Sequence, residues 1–200
     1  MSNLNEFIGN LKLTDITLIL HDFGGPIGLS YAVENVSNIV KIVAFNTWAW
    51  SNTGEREFEK MKPFLKSAIL PFLYKRLNFS PKFLLPEMFG KKYKLLSSIK
   101  KHYVLPFENS KMRNGTLGFA KSLLNEQDFL FALEEKLSNI QTIPTLLIWG
   151  EEDSIMTLEH RGKFQSKFDI IEVVNLKNCG HFPQEEDPKV VIKHMQEFVK

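Results

Sequence analysis

Cysteine is almost missing from this chain. Cys179 is the single one, so neither an intrachain disulfide nor a cysteine-rich zinc site can be built. Long apolar runs are missing too: none approaches the roughly 18 residues that a membrane-spanning helix needs. The N-terminus, MSNLNEFIGN, lacks the basic stretch followed by an apolar one that marks a secretory signal, so a cytoplasmic address is the expectation. Neither sign of charge dominates. Twenty-five Lys and Arg against 23 Asp and Glu leave a net charge of +2, too little to argue for a nucleic-acid partner. There are no internal repeats and no low-complexity segments. What remains is ordinary: 200 residues, 44% hydrophobic and 24% charged, the composition of one globular domain or one domain with an insertion.

The charge is unevenly spread. From Lys60 to Lys101 there are eleven Lys and Arg and a single acid, Glu87, in a stretch rich in Phe and Pro. Such a segment can mark a membrane-surface or anionic-partner face. The charges are interspersed with core-like apolar residues, which favours a solvated helix face packed on its apolar side. No membrane association is therefore expected.

Hydrophobic periodicity organises the rest. Leu4, Phe7, Ile8 and Leu11 recur at helical intervals. Ile16 to Leu20 is a short apolar run, partly β-branched, that reads as a strand buried on both faces. Phe23-Gly24-Gly25-Pro26 is a tight turn, and residues 26–36 look helical, with the proline where its missing N–H costs nothing. Ile39 to Phe45 is a second buried strand. Residues 52–137 hold no strong strand signal but several helical stretches, such as 55–68 and 126–137. The strand pattern returns at Thr145 to Trp149 and at 170–176, with helices at about 157–168 and 188–200. Alternating strands and helices predict a mostly parallel sheet with helices on both faces. The helical block is inserted after the second strand.

Three short segments follow predicted strands, where open α/β sheets place their active sites. In Leu20-His21-Asp22-Phe23-Gly24-Gly25 a reactive side chain stands between strand and helix and is followed by glycines, the pattern of a nucleophile elbow. An Asp at a strand end can equally be a cap or a metal ligand. Trp149-Gly150-Glu151-Glu152-Asp153 offers carboxylates at a strand tip, a weak signal alone. Asn178-Cys179-Gly180-His181-Phe182 offers a histidine after a glycine beyond the fourth strand. The chain order nucleophile, acid, histidine is that of the α/β hydrolases. His21 should point to the opposite strand face from Asp22. Glu151, Glu152, Glu185 and Glu186 read as solvated, and His102, His160 and His194 have no motif around them.

With these residues in place, LILHDFGGPIG, FNTWAW, LLIWGEEDSI and CGHFPQEEDP resemble the haloalkane dehalogenase branch of the α/β-hydrolase superfamily, over nearly the whole chain. The resemblance implies a hydrolase core in residues 1–51 and 138–200 and a helical cap in 52–137. It implies that Asp22 displaces halide from a haloalkane and forms an alkyl ester. His181 then activates water to hydrolyse the ester, Asp153 orients the imidazole, and the Phe23 N–H serves as an oxyanion donor. A small uncharged organic substrate and a halide ion are the implied ligands, with no cofactor and no metal. Family members usually carry Trp after the nucleophile; here Phe23 has no side-chain donor. Phe23, Asn46, Trp48 and Trp50 are the candidates around substrate and halide.

A complete fold of this kind has further strands before the nucleophile strand, and residues 1–15 do not resemble them. The sequence is thus expected to represent the C-terminal two-thirds of an enzyme, a truncated chain whose activity alone is in doubt. An exposed edge on the nucleophile strand would favour pairing with another chain. The alternatives are an epoxide hydrolase with the same triad, for which Tyr74 and Tyr103 are candidate acids, and a non-catalytic fragment.

Overall fold

The computed structural model describes residues 2–93 and 95–200. Lys94, one of the eleven basic residues counted above, lies outside them. In chain order the elements are α1 (Ser2–Leu11), β1 (Ile16–Asp22), α2 (Gly24–Glu34), β2 (Ile39–Thr47), α3 (Arg56–Leu65), α4 (Leu70–Leu77), α5 (Leu85–Glu87), α6 (Ser97–Val104), α7 (Asn114–Asn125), α8 (Gln127–Lys136), β3 (Thr145–Gly150), α9 (Leu158–Gln165), β4 (Ile171–Leu176), α10 (Pro183–Glu186) and α11 (Pro188–Val199). One turn of π-helix at Ser80–Leu84 precedes α5. No helix among the described residues is long and apolar enough to cross a membrane.

The four strands form one parallel sheet in the order β1-β2-β3-β4. Alternation along each strand divides its side chains between two cores. Ile42 and Ala44 of β2, with Leu147 and Trp149 of β3, pack against Leu29, Ala32 and Val33 of α2 and Leu130 and Leu133 of α8. Val43 and Phe45, with Leu146 and Ile148, face the other way onto Val191, Met195 and Phe198 of α11. β3 is buried at every position, so it carries an unbroken apolar run. Each such Leu or Ile contributes about 1.5–3 kcal/mol on burial. The expected α/β class, with helices on both faces, is what the structure has.

β1 departs from expectation. It pairs with β2 alone, the open edge expected above, but it is not buried on both faces. Leu20 is buried under α2, while Ile19 is 59% exposed. The cause is position: Ile19 is level with Val43, but the helix covering Val43 packs over β3 and does not extend to the sheet edge.

The inserted helices have a small core of their own, built from Phe58, Leu65, Leu70, Tyr74, Leu117 and Ala120. The apolar side of the basic stretch packs into it. Lys60 and Lys62 pair with Glu57 and Glu59 one turn back, at 2.9 Å each.

Candidate active site

Asp22 ends β1 and Asn46 lies near the end of the adjacent β2. Both are non-glycine residues with positive φ, +48° and +24°. Conformations of this kind cost about 1–3 kcal/mol each and persist only where the surroundings enforce them. At Asp22 the enforcement is visible. The Thr47 hydroxyl donates to the Asp22 carbonyl at 2.6 Å. α2 starts at once, and Gly25 passes so close to β2 that a Cβ there would strike the Thr47 side chain and lie 2.9 Å from the Trp48 carbonyl oxygen. The glycine after the turn is therefore a packing requirement. The result is a sharp strand-to-helix turn with the Asp22 side chain 37% exposed at its tip.

His181 lies between β4 and α10, and Asp153 lies just after β3. The His181 Nδ1 to Asp153 Oδ2 distance is 2.6 Å, and both side chains are 1% exposed. The carboxylate can only accept, so Nδ1 carries the proton. Asp153 is fully satisfied. Its Oδ1 accepts the Ile155 and Met156 N–H groups at 2.8 and 3.0 Å, and its Oδ2 also accepts Asn46 Nδ2 at 2.9 Å. His181 Nε2 points the other way, 3.8 Å from Asp22 Oδ1, with no hydrogen-bond partner. Three residues separated by up to 159 positions thus converge through three strand tips.

The electrostatics follow from that arrangement. Burial by itself pushes the His181 imidazole down, but the hydrogen bond to Asp153 and the charges of Asp153 and Asp22 outweigh it and hold the pKa well above the usual histidine value. For Asp153, burial raises the pKa. The His181 hydrogen bond and charge, with the two backbone N–H groups, more than reverse that, and the carboxyl is held below its usual range.

Two cavities open beside Asp22. One, of about 600 Å³, is lined mainly by apolar side chains of the inserted helices, among them Met61, Phe64, Tyr74, Phe119 and Leu123, together with His21. The other, of about 160 Å³, is lined by Asp22, Phe23, Trp48, Asn52, Met88 and His181 among others. Trp48 is 1% exposed, and its indole N–H has no acceptor. Phe23 meets the Trp48 ring edge-on at 5.1 Å. Among the described residues no group of three His, Cys, Asp or Glu side chains is placed to hold a metal ion.

Several expectations need correction. Asn46 does not face the cleft. It is completely buried, and its amide is divided between Asp153 and the Gly150 backbone, whose N–H it accepts at 2.9 Å. Trp50 is also completely buried, and its N–H goes to Glu55 at 2.7 Å. Neither has a donor left for a ligand.

His21 is not on the far side of the strand. The ladder register shifts between His21 and Asp22, which breaks the alternation, and the two imidazoles of His21 and His181 lie 4.7 Å apart. Burial, and then the charge of His181, push His21 down to about 4. The neutral ring faces the His181 carbonyl through Nε2 at 2.7 Å, so that nitrogen must be the donor.

Glu152, Glu185 and Glu186 are hydrogen-bonded rather than simply solvated. They accept from the Lys91 N–H, the Tyr103 hydroxyl and the Gly180 N–H respectively. Tyr103 is thereby engaged outside both cavities, whereas Tyr74 lines the larger one. His160 also has partners, Glu55 at 2.9 Å and the Thr157 cap. The pairings of Glu152 with Lys91, Glu185 with Tyr103 and His160 with Glu55 are long-range and carry no local sequence signal.

Comparison with known proteins bears on the fold that carries these residues. Residues 4–188 match the family model described as alpha/beta hydrolase fold. The chain is 28% identical over 189 residues to haloalkane dehalogenase 2 of Mycobacterium tuberculosis, covering 92% of this chain and 64% of that protein. It is 26% identical over 206 residues to a cis-3-alkyl-4-alkyloxetan-2-one decarboxylase of Shewanella oneidensis, covering 100% of this chain and 64% of that protein. It therefore spans 64% of the length of these relatives. Among solved structures, the haloalkane dehalogenase DatA of Agrobacterium tumefaciens C58 superposes with a TM-score of 0.82 at 20% identity, over 97% of this chain and 69% of that one. DbeA of Bradyrhizobium elkani does so with a TM-score of 0.84 at 17% identity, over 98% and 70%. The chain belongs to the α/β-hydrolase fold family, and within it resembles the haloalkane dehalogenases.

Proposed function

We propose that this chain carries the catalytic centre of a haloalkane dehalogenase-like hydrolase, with Asp22, His181 and Asp153 as its triad and helices α3 to α7 as the cap over a pocket for a small uncharged organic halide; α8, which the sequence put in the cap, packs against the sheet core instead. The observation that carries this is the unpartnered His181 Nε2, 3.8 Å from a half-exposed Asp22 held at positive φ beside an apolar cavity. An Asp22 oxygen attacks the carbon bearing the halogen. A carbon–oxygen bond forms, and the carbon–halogen bond breaks with its electron pair leaving on the halide. The step needs no proton transfer, so a bare carboxylate suffices.

Esterification removes the negative charge of Asp22. One of the two carboxylates that hold up the His181 pKa is then gone, and the imidazole becomes a competent base at the moment one is needed. Nε2 takes a proton from water, the hydroxide adds to the ester carbonyl, and collapse expels the alkoxide, which takes the proton back from Nε2 and leaves as the alcohol; the carboxyl proton passes to solvent, restoring the carboxylate. In this reading the backbone N–H of Phe23, at the start of α2, is the oxyanion donor.

With Phe23 lacking a donor, the vacant indole N–H of Trp48 takes the departing halide. Trp48→Phe should slow carbon–halogen cleavage by about 10- to 100-fold, the worth of one hydrogen bond to an ion. The central test is His181→Gln with a short bromoalkane. One equivalent of halide and a stable alkyl adduct on Asp22 are expected; no halide and no adduct would overturn the proposal.

A second reading rests on the oxetanone decarboxylase that matches over the whole chain, and on the two cavities that meet at Asp22. Two cavities suit two alkyl arms on a four-membered lactone. Carbon dioxide from such a lactone, or diol from styrene oxide, in place of bromide would select that reading or the epoxide hydrolase.

A further inference from the structure

We infer that Glu186 is a positioning residue for His181, and that it works by clamping the base-bearing loop to residues 88–91 of the inserted helical block. The inference rests on the triad proposed above.

His181 sits in a loop with no regular structure of its own, between Leu176 and Pro183. Its backbone N–H donates to the Met88 carbonyl at 2.8 Å. On either side of it, the Gly180 and Phe182 N–H groups donate to the Glu186 carboxylate, at 2.9 and 3.3 Å. The same carboxylate accepts the Gly90 N–H at 2.8 Å. Backbone donors from two segments ninety residues apart thus converge on one side chain. A carboxylate, which only accepts, suits three N–H donors; a carboxamide would turn an N–H₂ toward at least one of them.

The contact depends on backbone meeting backbone. A Cβ on Gly180 would strike the Met88 carbonyl and lie 2.6 Å from the Gly90 nitrogen, and one on Gly90 would lie 2.9 Å from the Gly180 nitrogen. Phe89 stacks on Phe182 at 4.8 Å. The acid-bearing loop is tied to the same segment, because Glu152 accepts the Lys91 N–H at 2.6 Å. Met88 also lines both cavities. The residue that holds the His181 backbone therefore touches whatever fills the pocket, and the helical block supports the base as well as covering the substrate.

The test is Glu186→Gln against the parent chain, with Glu186→Asp as the conservative control. Two readouts are needed. The first needs no turnover: NMR of the His181 Nδ1 proton in its bond to Asp153, with amide exchange at Gly90, Gly180 and Phe182. In Glu186→Gln that resonance should shift or broaden and the three amides should exchange about tenfold faster, the loss of one net hydrogen bond of about 1–1.5 kcal/mol. Glu186→Asp should recover part of both.

The second readout uses a short bromoalkane. The first equivalent of halide should appear within threefold of the parent rate. Ester hydrolysis should slow about tenfold, its pH profile should shift, and the Asp22 adduct should accumulate. An unchanged His181 resonance overturns the inference, as does equal slowing of both steps with an unmoved pH profile, which is what a merely structural role gives. No halide from the parent, with the NMR changes present, defeats the dehalogenase proposal and leaves the positioning role standing.

Discussion

Asp153→Asn isolates the electrostatic logic of the site, because the substituted atom has so few alternatives. The Asp153 carboxylate accepts four hydrogen bonds, two at each oxygen, with the side chain 1% exposed. A carboxamide keeps one oxygen, which the Ile155 and Met156 N–H groups claim. Its N–H₂ then faces Asn46 Nδ2 and His181 Nδ1. Asn46 cannot rotate to offer its oxygen, because that would sacrifice the bonds to the Gly150 N–H and carbonyl, 2.9 and 3.1 Å. The imidazole must yield instead: its proton moves to Nε2, and the nitrogen facing Asp22 can no longer accept a proton from water.

The equivalent change in a serine-protease triad costs about 10⁴ in kcat. At about 1.36 kcal/mol per decade that is about 5.4 kcal/mol of transition-state stabilisation. It should fall on ester hydrolysis alone, since displacement of halide requires no base. Rapid-quench kinetics with a short bromoalkane should show a full halide burst, negligible steady-state turnover and a persistent Asp22 adduct. Breaking a buried ion pair should also cost about 3–5 kcal/mol of stability, so the fold is checked by urea denaturation alongside. Steady-state turnover within tenfold of the parent chain would refute the tautomer argument.

Two further outcomes concern stability. Gly180→Ala drives a Cβ into the Met88 carbonyl, a backbone atom that cannot step aside. It should lower the urea midpoint by the equivalent of about 1–3 kcal/mol, where Gly118→Ala, with open space around its Cβ, should not. The pH dependence of stability should peak near 6.5. Above that value the unfolded His181 has lost its proton while the folded one keeps it, so stability falls as pH rises toward the raised folded pKa. Below it the unfolded His21 gains a proton that the folded ring refuses until about 4, so stability falls as pH drops. Urea titrations should show His181→Gln flattening the alkaline limb and His21→Gln the acid one; a stability curve level from pH 5 to 9 would contradict both assignments.

Much of this molecule was legible from local pattern. β3, and β2 from Ile42 to Phe45, are continuous apolar runs because both faces are covered there, and such runs announce buried strands; the start of β2, with Val40 exposed and Lys41 half-buried, is not covered. The turn at Asp22 was visible because tight backbone approach demands glycine, and Gly25 is the residue that answers it. The pattern misleads where tertiary position overrides it. Ile19 has the side chain of a core strand and sits at a sheet edge. His21 should alternate away from Asp22, and a register shift brings it to His181. Asn46 and Trp50 carry donors that could serve a ligand, but the first is consumed by Asp153, 107 residues away, and the second by Glu55, five residues on. Glu186 looked like one more surface acid, since nothing in HFPQEED reveals that Gly90 waits opposite it.

The placement of β1 sets an order on how this protein would fail. Asp22 hangs from a strand that is stitched to the sheet along one side only; β4 is an edge strand too, but the loop beyond it that carries His181 is also held by Asp153, Glu186 and the Met88 carbonyl. Regions with few supporting bonds open locally at lower free energy than the whole molecule unfolds. Fraying that begins at the outer strand would carry the attacking carboxylate away while leaving the imidazole and its acid partner in register. Reactivity would then decay before compactness does, and a melting curve that follows the bulk of the helices would overstate how long the chemistry survives.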